Sequence, residues 1–214
     1  MSTLRKWCNE LYISIVITLL SISSASVFVL FFRPIYYLSI KGFGITGRSG
    51  FNKNQIIENY DALIQYFYPF HKGNLALPTF GQSAQGIQHF AEVKDIFNVL
   101  LLMIPICLLL LILYVIRNRS GKHYLKTTAI TLILVPVVFG TGFTLNFDQT
   151  FTLFHKIFFR NDYWLFNSKT DPIIKILPEE FFLLCGVIII IIQIVLSVFC
   201  YTRYRHSIHR SNAK

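Results

Sequence analysis

The chain has 214 residues, of which 54% are hydrophobic and only 14% charged. Soluble domains carry about 25% charged residues, so a soluble, disordered or disulfide-stapled protein is excluded. The formal net charge of +10 raises nucleic acid as a partner, but the excess sits in short segments beside apolar blocks, where membrane topology and anionic lipid account for it; no nucleic acid is expected.

Residues 11–32 form the first of four apolar blocks; the others are 97–116, 125–145 and 181–201. None contains Asp, Glu or Arg, and the one lysine, Lys126, stands at the very start of the third. At about 1.5 Å per residue, roughly 20 residues cross a ~30 Å hydrocarbon core. The composition therefore predicts an all-α protein, a four-transmembrane-helix bundle that makes residues 1–214 a single integral membrane domain. Arg5 and Lys6 before the first block and the small residues Ser23, Ser24, Ala25 and Ser26 resemble a signal peptide. The apolar run continues through Val27 to Phe32, further than a signal needs, so it is read as an uncleaved anchor.

Between the first two blocks lies a loop, 33–96. Within it, residues 54–68 place Ile56, Tyr60, Leu63, Ile64 and Phe67 on one stripe and Glu58, Asp61 and Gln65 opposite, which predicts an amphipathic helix preceded by an Asn cap. With no soluble core expected, that stripe is assigned to the membrane interface or the mouth of the bundle; a plain packing helix is the alternative. Residues 81–97 then run without proline into the second block. His89, Val93 and Phe97 are four apart and share a helical face, with Glu92 three from His89.

The short loop 117–124 carries Arg117, Arg119 and Lys122 and no acid. In the third block, Gly140-Thr141-Gly142 is a close-packing signal. The second long loop, 146–180, has a stripe of Phe147, Phe151, Phe154 and Phe158 with His155 at its edge; Asp162 is seven residues further on, and Arg160, Asn161 and Trp164 suit an interface depth. Pro178, Glu179 and Glu180 open the fourth block with residues that favour a helix start. Arg203, Arg205, Arg210 and Lys214 follow it.

Lys and Arg accumulate in short cytoplasmic segments. The N-terminal segment, the 117–124 loop and the tail share that character and fall on one side if four helices alternate. The two long loops mix ten basic with nine acidic residues and are placed outside. Both termini are thus expected in the cytoplasm, with two extracytoplasmic loops containing amphipathic helical segments. Cys8 is cytoplasmic and Cys107, Cys185 and Cys200 lie in helices, so none staples the outer loops, and no CxxC pair exists.

Of six histidines, His123, His206 and His209 sit among cytoplasmic basic residues and His71 in a Pro-Phe-His-Lys-Gly turn. His89 and His155 remain, each outside an apolar block with an acid at helical spacing. An imidazole titrates near 6.5 and does acid and base work at neutrality, so this pair is the best catalytic candidate. There is no GxSxG elbow, no HExxH, no phosphate-binding loop and no buried acid of a transporter.

The sequence His89-Phe90-Ala91-Glu92-Val93-Lys94 resembles the His-x-x-Asp-Val-Lys motif of the lipoprotein intramolecular transacylases. Residues 154–164, Phe-His-Lys-Ile-Phe-Phe-Arg-Asn-Asp-Tyr-Trp, resemble that family's Phe-His-x-x-Phe-Phe-x-Asn-Asp-x-Trp motif, and the likeness continues through Thr170-Asp171-Pro172 and 178–182. Glu92 stands where the family carries Asp, and Asn167-Ser168 where it carries Asp-Pro. The resemblance implies a bacterial multi-pass cell-membrane enzyme, active on the extracytoplasmic face, whose partners are diacylglyceryl-modified lipoproteins and membrane lipids. It implies movement of the sn-2 acyl chain to the α-amino group of the N-terminal cysteine, giving a lyso-form lipoprotein. The family's two essential histidines fall on His89 and His155, with Glu92, Lys94, Asn161, Asp162, Trp164 and Asp171 in support.

Such a transfer needs a neutral amine, whose pKa is near 7.7 to 8.0, and a base of matched strength. Ester to amide is downhill, so no nucleotide, cofactor or metal is expected. His155 is taken as base with Asp162 orienting it; His89, with Glu92 nearby, stabilises the oxyanion or protonates the leaving oxygen. The reverse allocation stays open. Lys94 either adds positive charge to the oxyanion, holds a phosphate or is a solvated surface residue. The alternatives are an outward-facing hydrolase, including a metal-dependent one built on His71, His89 and His155, and a non-catalytic membrane binding or immunity protein.

Overall fold

The structure, a computed structural model, describes residues 3–117 and 123–212. Its elements are α1 (Thr3–Phe31), α2 (Pro34–Gly42), α3 (Ile45–Ser49), α4 (Lys53–Tyr66), α5 (Ala84–Arg117), α6 (Tyr124–Leu145), α7 (Phe147–Phe158) and α8 (Glu179–Asn212), with one turn of 3-10 helix at Pro172–Lys175. Among the described residues there is no strand. α1, α5, α6 and α8 are long and apolar enough to cross a membrane, and each contains one of the four apolar blocks, apart from Phe32 at the end of the first. α5 and α8 have 34 residues each, about 51 Å, so both extend well beyond their apolar block. Arg119, Lys122 and Lys214, which contribute to the expected cytoplasmic charge, lie outside the described residues.

The chain divides into two compact units. The first comprises Met1–Ser26, Leu100–Leu145 and Val187–Lys214, the greater part of the four apolar helices. Water is excluded from such a core, so buried polar side chains bond across helices. Thr18 and Thr131 hydroxyls pair at 2.7 Å, Ser197 Oγ donates to the Ala129 carbonyl at 2.7 Å, and Thr128 Oγ1 reaches Ser14 Oγ at 3.1 Å. Ser21 Oγ donates to Gln193 Oε1 at 2.9 Å, while the fully buried Gln193 has no partner for Nε2 among the described residues. At Gly140 a Cβ would meet Ile190 Cδ1 at 3.7 Å, ordinary van der Waals contact.

The second unit comprises Val27–Val99 and Asn146–Gly186 and has its own apolar core. α4 begins at a capping box in which Asn52 Oδ1 accepts from Gln55 N at 2.9 Å and Gln55 Oε1 accepts from Asn52 N at 3.1 Å. Its stripe of Ile56, Tyr60, Leu63, Ile64 and Phe67 is at most 3% exposed. The assignment of that stripe to a membrane interface is therefore corrected: it packs against α2 residues and against Ile173, Ile176 and Phe181. Fully burying such a side chain stabilises by about 1.5–3 kcal/mol, which explains why α4 turns inward. Tyr36 of α2 stacks on Tyr60 with ring centroids 3.6 Å apart and donates its hydroxyl to the Ile176 carbonyl at 2.7 Å. Tyr37 Oη and Arg33 both reach Asp61 Oδ1, at 2.7 and 3.3 Å.

This core positions the start of α5. Ser83 caps it, its Oγ accepting from Gly86 N at 2.9 Å. The Ser83 N–H donates to Asp171 Oδ1 at 2.8 Å, and Thr170 Oγ1 donates to Asp171 Oδ2 at 2.6 Å. Asp171 is 3% exposed, a buried carboxylate at a helix N-terminus, where the macrodipole favours negative charge. Gly86 lies against the same carboxylate.

Candidate active site

His89 lies in the second turn of α5 and His155 in the last turn of α7, outside the apolar blocks, and both are buried at 5% and 8% exposure. Sixty-six residues apart in sequence, their rings come to a centroid distance of 5.9 Å.

Aromatic side chains enclose the pair. Phe159 contacts both rings, at 4.7 Å from His89 and 5.6 Å from His155. Phe166 meets His89 edge-on at 5.4 Å, Trp164 stacks on His155 at 4.7 Å and 29°, and Phe151 lies 4.1 Å from His155. These apolar walls remove water, which disfavours the charged imidazolium. Burial, and secondarily the neighbouring His155, push the His89 pKa down to about 4. Burial also lowers that of His155, opposed by its hydrogen bond to Phe151. Burial thus favours the neutral form of both rings.

His155 Nδ1 is 2.8 Å from the Phe151 carbonyl. A carbonyl only accepts, so the neutral ring carries its proton on Nδ1 and leaves the Nε2 lone pair free as an acceptor. His89 Nδ1 is buried without a hydrogen-bond partner among the described residues.

Other candidates fall differently from expectation. Asp162 is exposed and makes no side-chain hydrogen bond or ion pair among the described residues; the carbonyl of Phe151, not this carboxylate, orients His155. Glu92 does not bond His89. Its oxygens accept from Asn161 Nδ2 at 2.9 and 3.1 Å and from Gln88 Nε2 at 3.3 Å. Lys94 Nζ donates to the His71 carbonyl at 3.1 Å and sits 4.3 Å over the Tyr66 ring, so it ties down the loop between α4 and α5 rather than standing free for an oxyanion or a phosphate. Trp164 Nε1 donates to the Asn161 carbonyl at 3.1 Å. Asn167 Oδ1 accepts from Lys169 N at 3.0 Å, a turn bond an Asp would make equally well. Asp171 reaches the site only through the start of α5.

Sequence reasoning missed Phe159 and Phe166 as walls of the site, whereas Phe151 belongs to the aromatic stripe beside His155. It also missed the Phe151 carbonyl as the partner of His155, for which the four-residue step was a usable signal, since a helical side chain can reach the carbonyl one turn back. Among the described residues no three His, Cys, Asp or Glu side chains gather as metal ligands, which leaves the metal-dependent hydrolase without a ligand set. A groove of about 640 Å³ lined by residues including Arg48, Phe147, Lys175 and Glu180 contains neither histidine.

A family model described as lipoprotein intramolecular transacylase Lit matches residues 11–182. Among solved structures, that of the membrane integral lipoprotein intramolecular transacylase Lit from Bacillus cereus is similar, with a TM-score of 0.90 and 31% identity over 97% of this chain and 97% of that one. Two structures of the same Bacillus cereus protein with a histidine replaced by arginine or alanine give TM-scores of 0.83 and 0.84 at 31% identity. They cover 96% and 97% of this chain and 93% and 95% of those chains. No curated protein sequence matches significantly.

Proposed function

The chain belongs to the lipoprotein intramolecular transacylase family, and from that premise we propose that His89 and His155 act together to move the sn-2 acyl chain of a diacylglyceryl lipoprotein to the α-amino group of its N-terminal cysteine. One observation carries this reading: two neutral, buried imidazoles converge at 5.9 Å from distant parts of the sequence. The amine nitrogen attacks the ester carbonyl carbon and loses a proton to Nε2 of His155, the ring whose tautomer suits a base. His89 faces the oxygen side, stabilising the tetrahedral oxyanion by hydrogen bonding. As the carbon–oxygen bond breaks, the proton held by His155 ends on the departing sn-2 oxygen, so every substrate atom is retained.

The aromatic walls suit an acyl-bearing substrate, and holding amine and ester together supplies about 7 to 11 kcal/mol of the barrier. Asn161, Trp164 and Glu92 keep the rings in place, and Asp171 fixes the start of α5. We place the whole chain as one integral membrane domain with both termini inside and the histidines on the extracytoplasmic face, supported by the basic residues Arg5, Lys6, Arg203 and Arg205 at the termini.

The test is tandem mass spectrometry of a synthetic diacylglyceryl lipopeptide incubated with the purified protein in nanodiscs. Transfer leaves the parent mass unchanged and moves the acyl mass onto the N-terminal fragment. His89→Asn and His155→Asn should each lower the rate about 10²- to 10⁴-fold. Loss of acyl mass indicates hydrolysis, and full turnover by both folded variants overturns the histidine mechanism.

A further inference from the structure

We infer that Glu92 and Asn161 form a positioning strut that sets the two imidazoles relative to one another, an inference that rests on the reading of His89 and His155 as the reacting pair. Glu92 is on α5, three residues beyond His89. Asn161 spans its carboxylate, with Nδ2 at 2.9 and 3.1 Å from the two oxygens. Hydrogen bonds to an ionised acceptor are roughly twice as strong as neutral ones. The rest of Asn161 is also engaged: Oδ1 accepts from Tyr163 N at 3.0 Å, and the main-chain carbonyl accepts from Trp164 Nε1 at 3.1 Å. Trp164 in turn stacks on His155. One residue thus connects the helix bearing His89 to the indole that seats His155.

The same anchor holds the segment 159–166, which supplies Phe159 and Phe166 to His89 as well. α7 ends at Phe158 and its last helical bond runs from Phe159 N to the His155 carbonyl at 2.7 Å, so beyond Phe159 the main chain is held only by turn bonds, Leu165 N to the Asp162 carbonyl and Phe166 N to the Trp164 carbonyl, both at 3.1 Å. Among the described residues Glu92 has no ion-pair partner. An amide opposite the carboxylate neither titrates nor brings positive charge beside neutral imidazoles.

The experiment reverses the pair, in a Trp7→Phe background because the chain has two tryptophans and Trp164 must be the emitter. Asn161→Asp sets two carboxylates against each other. Glu92→Gln with Asn161→Asp rebuilds an amide–carboxylate bond with the roles exchanged. For Asn161→Asp the strut predicts a kcat lower by about 10²-fold, the loss expected of a misplacement of about 1 Å, with KM within about twofold. It also predicts loss of the acid quenching that a stacked, protonated His155 imposes on Trp164 emission. The double variant should recover both. Unchanged kcat and quenching in Asn161→Asp overturns the strut. So does a kcat loss that only follows a lower melting temperature, with quenching per folded molecule intact. Wild-type turnover by His89→Asn and His155→Asn instead overturns the underlying reading.

Discussion

The carboxylate of Asp171 lies against Cα of Gly86, in the space that a Cβ would fill. A methyl group there would collide with Asp171 Oδ1 and stand 3.2 Å from the Phe166 ring. Gly86→Ala should therefore destabilise by about 1–3 kcal/mol, as overpacking does, seen as a lower melting temperature in detergent. Because Phe166 packs on His89, the rate should fall as well.

Stability should depend on pH through His89. Its folded pKa of about 4 lies below the ordinary 6.5, so between these values the unfolded chain binds more protons than the folded one. Stability is then fully present above pH 6.5, falls as pH drops toward 4, and is level below. Melting temperatures across pH 4 to 7 should slope for the wild type and less steeply for His89→Asn, where the lowered pKa of His155 still contributes in the same sense. Activity should rise through the substrate amine's pKa, near 7.7 to 8.0, with no limb at 6.5.

Tyr36→Phe removes the hydroxyl that donates to the Ile176 carbonyl, and both residues are 0% exposed. Orphaning that carbonyl should cost about 1–3 kcal/mol. Thermal unfolding of the variant checks this.

Gln193 behaves in the opposite sense. Its Nε2 is buried without a partner, and its Oε1 serves only Ser21 among the described residues. Replacing both ends, Ser21→Ala with Gln193→Leu, should be neutral or stabilising, whereas Gln193→Leu alone strands the hydroxyl. Comparing the three melting temperatures decides it.

The four membrane helices were legible because a charge-free run of spanning length needs only composition to be recognised. α4 was legible as a helix but not in what it faces: periodicity shows that Ile56, Tyr60 and Leu63 share a face, while the groups covering them, Ile173 and Ile176, come from more than a hundred residues away. At the site, histidine chemistry and the family likeness singled out His89 and His155. Their partners were misassigned for a local reason. Asp162 was placed by helical spacing, yet α7 stops at Phe158 and Phe159 is extended, with φ −119° and ψ 130°, so the count of seven no longer returns to one side. Glu92 does share a helix with His89, but Asn161 takes its carboxylate.

The proton on His155 is held by a carbonyl one turn back along α7 itself. Donor and acceptor lie on one helix, so that bond is fixed by the fold of α7 alone and not by what packs against it. The contacts with Trp164 and Phe159 come from residues beyond the helix. Which nitrogen carries the proton is thus decided inside α7, and which way the ring faces is decided by its neighbours.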